Sequence, residues 1–590
     1  MAHSATFARL TRGQTLACFS LAALIDLAIG AWLRQLLPPR ELLNPDSYMR
    51  LVRLHDLLAR HAPLDAVLRD GSGIGTRLHW SHLLDSLLLV LAAPLAPWLG
   101  WQAALPWAGL ALGPLVAGLL GTALAWAAAP LSDPAWRWTA ALSATLMLPI
   151  LGYTLPGVVH HHALVALAVV MCAGWAARAV ATPTVATVCT PAGIHLGAWA
   201  AFGLWLSPEA MPLALLAFGA IGLAWLLQPG ERGHAATLAA ATTTLAMLAG
   251  LALAADPPAD AALPALDRLS SAWLCLALLG AGAAWCFVGI DRMALAPAWR
   301  GLAGGAVAAG AAIAWLALFP DALRGPGGIV EAAASQVFFA DIAEMQPVRS
   351  WPDAVTFLLP GGFAAMVAAV VALRQRSFLW AYATACVVLL VLVAATHRRF
   401  STYGACAGAI ALPVAITLAS ACLRDRPPVV AAAVRLLLLL LVLVGPYAPP
   451  LLAGGAAAAP AAACSVRAVA PALDGFAGQV VLADVSLSPE LLYRSRILTV
   501  GSLYHGNVAG FLRLRAAWRS RDDGRSGVPP DVAATGAGLV LFCRHAGRTR
   551  LVADLPADTL WDRIGRGEVP AWLEEVPVDP ASGFRLFRVR

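Results

Sequence analysis

Apolar runs bounded by proline, glycine or charge recur along most of the chain, at 14–36, 80–98, 105–127, 135–153, 163–177, 185–206, 210–227, 234–254, 270–289, 301–319, 354–373, 378–395, 401–422 and 430–447. A helix needs about 20 mostly apolar residues to cross a bilayer, so the pattern predicts a polytopic α-helical membrane domain over residues 1–448. The pattern then changes. In residues 449–590 short β-like runs such as "GAGLVLFCRH" and "FRLFRVR" alternate with helical ones, which predicts a small α/β domain.

Charge between the runs orients the chain. The turns "ARAV" (177–180), "QPGERGH" (228–234), "DRMALAPAWR" (291–300), "RQR" (374–376) and "LRDRPP" (423–428) alternate as cytoplasmic loops, and Arg9 and Arg12 place the N-terminus on that side as well. Fourteen crossings would return the tail to the cytoplasm. The run at 80–98 starts with Arg77, His79, His82 and Asp85 and is therefore expected to lie on the outer side without crossing. About 13 transmembrane helices remain, N-in and C-out, with outer loops at 37–104 and 320–353. No small-residue cleavage pattern follows the first run, so that helix is expected to be retained.

Composition agrees: 60% hydrophobic and 12% charged residues with a mean hydropathy of +0.74 exclude an ordinary soluble protein. The net charge of +7 is spread over short loops and the tail, without a basic block to track a nucleic-acid backbone; no nucleic-acid partner is expected. Cys18, Cys172, Cys189, Cys275, Cys286, Cys386, Cys406 and Cys422 fall in apolar runs and read as small buried residues. Cys464 and Cys543, in the tail, form the one pair able to oxidise if the tail is extracytoplasmic.

Outer-face polarity gathers in a few places. In "NPDSYMRLVRLHDLLAR", Asp46 or Ser47 is the expected cap of an interfacial amphipathic helix anchored by Arg50, Arg53 and Arg60. Asp46 is either that cap or a base or metal ligand facing a membrane-surface cavity. "PGVVHHHALV" puts His160, His161 and His162 at a helix mouth, where His160 and His162 are imidazole ligands or one of them a general base, or the three form a solvated turn. The 320–353 loop carries Glu331, Asp341 and Glu344 and is long enough to be a binding segment. In "HRRFSTYG", Arg398 or Arg399 can grip a phosphate with a forked pair of hydrogen bonds, or snorkel to lipid headgroups.

Taken in order, these motifs resemble the catalytic subunit of oligosaccharyltransferases and, more closely, a group of bacterial membrane proteins of the same GT-C glycosyltransferase class. "NPDSYMRLVRLHDLL" resembles the family's Asp-bearing first outer loop, "PGVVHHHAL" its second acidic motif, "ADIAEMQP" the short Glu motif of the fifth outer loop, and "RRFSTYG" the segment that holds the lipid phosphate. The resemblance implies an inverting transfer of a sugar or oligosaccharide from a polyprenyl phosphate or diphosphate donor to an extracytoplasmic glycan, lipid or protein. The setting it implies is the periplasmic face of a bacterial inner membrane.

Asp46 would be the principal catalytic carboxylate and Glu344 the loop carboxylate. Arg399, with Arg398 and Tyr403, would hold the donor phosphate. His160 and His162 occupy positions where relatives carry acids, His161 is assigned to the substrate, and Asp46, His160, His162 and Glu344 are the implied ligands of a divalent metal, Mn²⁺ tolerating such mixed donors better than Mg²⁺. The family's Trp-Trp-Asp-Tyr-Gly acceptor motif is absent from the tail, so sequon-directed N-glycosylation is not expected. In "GSLYHGN" (501–507), Tyr504, His505 and Asn507 either read an acceptor or form a polar turn. The alternative class, a transporter or flippase for a lipid-linked sugar, would place ionisable groups near the midplane rather than at one face.

Overall fold

The computed structural model describes residues 10–34, 41–181, 190–228, 233–257, 263–330, 332–449, 464–521, 527–549 and 551–590; Cys189, Glu331 and the side chain of Asp341 lie outside that description. α1 (Arg12–Arg34) leads to an outer segment holding α2 (Pro45–Arg60), a two-stranded ribbon of β1 (Ala66–Val67) and β2 (Thr76–Arg77), α3 (Leu83–Ala92) and α4 (Ala96–Leu99). The bundle continues with α5 (Trp101–Ala128), α6 (Trp138–Leu146), α7 (Leu148–Thr154), α8 (His162–Ala181), α9 (Pro191–Leu206), α10 (Ala210–Leu227), α11 (Gly233–Ala255), α12 (Ser271–Arg292) and α13 (Pro297–Leu318). After α14 (Ala332–Asp341) come α15 (Trp351–Gln375), α16 (Phe378–Thr396), α17 (Ser401–Cys422) and α18 (Pro428–Leu439), the last running on irregularly to Tyr447.

Among the described residues 11 helices are long and apolar enough to cross a membrane. Two of the expected crossings are shortened: α9 has 16 residues, and the 135–153 run breaks at Met147, whose extended backbone precedes Pro149, into α6 and α7. Their ends still meet near one site, Glu209 beyond α9 pairing with Arg399 just before α17 and Tyr153 in α7 donating to Glu344. α3, with 10 residues, rises only about 15 Å, half of the roughly 30 Å hydrocarbon layer. It is too short to cross, as its charged start predicts.

That charged start has a defined partner. Arg50 and Arg53, 2% and 0% exposed, point inward from α2 and share Asp85 at 3.4 and 3.1 Å, with Arg50 also over the Trp80 ring. The expected anchor role therefore fails for these two arginines; only Arg60, 52% exposed, points outward. The expected cap also shifts, because Asn44 Oδ1 accepts the Ser47 amide at 2.8 Å and Pro45 fills the first turn. Asp46 is thereby freed from capping.

α15 and α17 pack backbone to backbone. A Cβ on Gly408 would stand 2.6 Å from the Pro360 carbonyl oxygen, so glycine there lets the helices close, as small residues do in membrane interfaces. This contact fixes the start of α17, which Arg398 and Arg399 precede.

The tail forms a five-stranded mixed sheet in the order β4 (Leu498–Thr499), β3 (Val480–Leu482), β5 (Leu539–Cys543), β7 (Phe584–Val589), β6 (Leu573–Val576). β3 runs parallel to β4 and β5, and β7 antiparallel to β5 and β6. Cys464 and Cys543 form a disulfide. The sheet domain seats on the outer segment through Asp70, a buried carboxylate that accepts from Thr76, Thr499 and Ser502.

Candidate active site

The first turn of α2 meets the α7–α8 turn. Leu43 N donates to Gly157 O at 3.0 Å and Val159 N to Ser47 Oγ at 2.7 Å, so the two motifs are stitched through their backbones. Between these stitches, Asp46 Oδ2 lies 2.8 Å from His160 Nε2 and Asp46 Oδ1 accepts the Tyr504 hydroxyl at 2.8 Å. The His162 amide points at His160 Nδ1, 3.4 Å away. His160 therefore carries its proton on Nε2 and donates it to Asp46.

A second group centres on Glu209, at the α9–α10 junction. Its Oε1 accepts the Tyr403 hydroxyl at 2.6 Å and lies 2.8 Å from His162 Nδ1, while Oε2 pairs with Arg399 Nη2 at 2.9 Å. Arg399 Nη2 is also 2.7 Å from His162 Nε2. A guanidinium can only donate, so His162 Nε2 accepts and its proton resides on Nδ1, facing Glu209. Glu344 Oε2 accepts the Tyr153 hydroxyl at 2.8 Å, and its Oε1 stands 3.7 Å from both Arg399 Nη1 and His162 Nε2.

The electrostatics keep these acids ionised. Burial alone would raise Asp46, but the hydrogen bonds it accepts from His160 and from the Tyr504 hydroxyl hold it below the ordinary carboxylate value. Burial is likewise outweighed at Glu344 by Arg399 and His162, which bring it well below the usual range, and at Glu209 by His162 and Arg399. Burial, with the neighbouring imidazoles, pushes His160 down and His161 far down. Burial beside Asp46 raises Tyr504 well above an ordinary phenol.

The sequence-derived residues are thus mostly brought together. Asp46, His160, His162, Glu344, Arg399, Tyr403 and Tyr504 share one network. Of these, Asp46 and Glu344 keep 33% and Arg399 keeps 22% of their side chains exposed, against 4% for His162 and 14% for Glu209. The reachable groups in this network are therefore two carboxylates and one guanidinium, whose Nε is itself buried. Arg398 points elsewhere, pairing with Asp353 at 2.7 Å. His161 stacks on His160 and faces a neighbouring cavity, and His505 bonds Asp267 rather than the Asp46 group.

Glu209 is the residue that the motif reading misses. Its signal lay in the chain all the same: an acid in "LSPEA", between two apolar runs, at a turn the alternation assigns to the outer end.

The three imidazoles of His160–His162 can each turn one nitrogen within 4.8 Å of the others, and Asp46 adds a carboxylate. That nitrogen-rich set fits a borderline cation such as Zn²⁺ better than Mn²⁺ or Mg²⁺, which favour oxygen donors. His162 would join it only by giving up Arg399, and Glu344 holds Tyr153 with one oxygen while the other lies 3.7 Å from His162 Nε2.

Membrane helices of this order, with a face-gathered polar site and a tail sheet over it, define the GT-C fold of oligosaccharyltransferase catalytic subunits. No protein-family model and no curated protein matches the sequence. Among solved structures, the chain is similar to the oligosaccharyltransferase AglB of Archaeoglobus fulgidus in complex with an inhibitory peptide and a dolichol-phosphate. The TM-score is 0.67 at 13% identity, covering 89% of this chain and 69% of that one. The A. fulgidus enzyme tethered to an acceptor peptide containing the NVT sequon matches with a TM-score of 0.68 at 13% identity, over 90% and 69% of the two chains. The same enzyme in complex with Zn and sulfate matches with a TM-score of 0.62 at 14% identity, over 89% and 67%.

Proposed function

We propose that this chain is a GT-C glycosyltransferase of a bacterial inner membrane, moving a sugar or oligosaccharide from a polyprenyl phosphate or diphosphate to a glycan, lipid or protein acceptor on the periplasmic side. The observation that carries the reading is the meeting of Asp46, Glu344 and Arg399, the three reachable charges, at the bundle end under the tail. The dolichol-phosphate bound to the archaeal structure supports a lipid-phosphate donor. The missing Trp-Trp-Asp-Tyr-Gly motif supports an acceptor other than a sequon peptide.

The chemistry needs a base for the acceptor and a cation for the leaving group. Asp46, ionised and with one lone pair on each oxygen still free, takes the proton from the acceptor O–H or N–H as the acceptor atom bonds to the anomeric carbon. The bond from that carbon to the phosphate oxygen breaks, and its electron pair leaves with the phosphate. Arg399 receives that charge on the exposed part of its guanidinium, with Glu209 and His162 holding it in place. Direct displacement inverts the anomeric centre and needs no protein nucleophile. A cation on Asp46 and the imidazoles, when bound, would add positive charge beside the same phosphate.

Transfer from a panel of polyprenyl phosphate and diphosphate sugars to extracytoplasmic acceptors, with purified chain in lipid micelles, tests the reading. Product that appears with one donor class supports it. Donor crossing vesicles intact, with no product, would support the transporter instead.

A further inference from the structure

A second set of metal-type donors converges outside the Asp46 network. His79 lies two residues past β2, Asp267 in the turn before α12, and His505 in the tail, so three separate segments supply them. His505 Nε2 is 2.7 Å from Asp267 Oδ2, and the His79 and His505 rings lie 4.2 Å apart. One donor atom from each residue falls within 4.8 Å of the other two. His79 Nδ1 is buried with no hydrogen-bond partner among the described residues.

The backbone holds this arrangement tightly. A Cβ on Gly506 would stand 1.9 Å from the Arg77 carbonyl oxygen, so only glycine lets the tail turn seat there, and Asn507 Nδ2 donates to Thr76 Oγ1 at 3.0 Å. The loops bearing His79 and His505 therefore approach as closely as chains can. Beside them is a cavity of about 40 Å³, bordered by His79, His82, His161, Asp256 and Asp267. At roughly 10–15 Å³ for each water it admits about three, too few for a sugar ring and enough for a cation's own water.

We propose that His79, Asp267 and His505 bind one Zn²⁺-class cation, with a cavity water in the fourth position. Zinc bonds of about 2.0–2.2 Å to nitrogen and oxygen put tetrahedral donor atoms roughly 3.3–3.6 Å apart, so these side chains need close by no more than about 1.5 Å. Two imidazoles and one carboxylate disfavour Mg²⁺ and Ca²⁺, which take oxygen cages. The bound ion ties the tail to the outer segment and the α11–α12 turn, holding Tyr504, one residue from His505, against Asp46. The site does not rest on the glycosyl-transfer reading; a transporter would carry it equally.

The test uses the full-length chain in detergent, stripped by chelator, reloaded with zinc and dialysed, with zinc counted by elemental analysis. The Asp46 group is separated by substitution. The expected result is one zinc equivalent that survives His160→Gln/His162→Gln and is lost in His79→Gln/His505→Gln. X-ray absorption at the zinc edge on the His160→Gln/His162→Gln chain should show two imidazoles, a readout that does not need the second variant to fold. Wild type that retains no zinc, a His79→Gln/His505→Gln chain that keeps the wild-type equivalent, or a zinc spectrum without imidazole would each overturn the proposal.

Discussion

Replacing Glu209 by glutamine removes a charge and keeps the shape. In the folded chain Glu209 pairs with Arg399 at 2.9 Å, accepts from Tyr403 at 2.6 Å and faces His162 at 2.8 Å, at 14% side-chain exposure. A charge-assisted hydrogen bond in such a place contributes about 1.5–3 kcal/mol. The amide keeps one acceptor oxygen, so Tyr403 stays bonded and Arg399 loses its carboxylate. With the loss of one such bond felt at the leaving phosphate, kcat/KM should fall roughly 10- to 100-fold, since about 1.4 kcal/mol is tenfold. The assay is steady-state transfer with the lipid-linked donor titrated in mixed micelles, with thermal unfolding in parallel. Wild-type kinetics at an unchanged melting temperature would refute the positioning role, because they would mean that Arg399 needs no carboxylate to hold it.

Two further outcomes follow from buried charge. Asp85→Asn leaves Arg50 and Arg53 buried without their shared carboxylate; breaking such a pair costs about 3–5 kcal/mol, so the melting temperature should drop by several degrees, and an unchanged value would mean that water solvates the arginines. His161 is pushed far below an ordinary imidazole by burial, then by its neighbours His162 and His160 and the charges of Arg50 and Arg399. As pH falls through about 6.5 the unfolded chain takes up a proton that the folded chain refuses, so this residue costs about 1.4 kcal/mol of stability per pH unit until its folded value is reached, and nothing above 6.5. The slope of melting temperature against pH between about 6.5 and 5 should flatten in His161→Gln; an unchanged slope would remove His161 as its source.

The bundle was legible because its period and its charge say the same thing. Arg-bearing turns recur at one end of the apolar runs, and the polar start of 80–98 marks it as the segment that does not cross. The site's order was legible for a related reason: Asp46, His160, Glu344 and Arg399 stand beside helix ends on the same side, where polar atoms cost little and need a purpose. What escaped was pairing over long separations. Arg50 and Arg53 form a stripe that reads as a solvated face, and nothing local announces Asp85, 35 residues beyond Arg50, as the partner that takes them inside. Asn44 out-competes Asp46 as the cap because Pro45 fixes the first turn after it. Glu209 and Arg399 meet across 190 residues, a contact that only the packing of α9, α10 and α17 creates.

The central claim is that Asp46 takes the acceptor's proton, and Asp46→Asn tests it most directly. The amide oxygen still accepts from Tyr504 and the side chain keeps its size, while its NH2 takes the place of the acceptor that His160 used and obliges that imidazole to move its proton to Nδ1, so the fold and donor binding should survive. The measurement is single-turnover transfer from a bound polyprenyl-linked sugar, which separates chemistry from binding. The account predicts donor affinity near wild type with the chemical step slowed by about 10²–10⁴, the range for removing a general base. An Asp46→Asn chain that transfers sugar at the wild-type rate would contradict it.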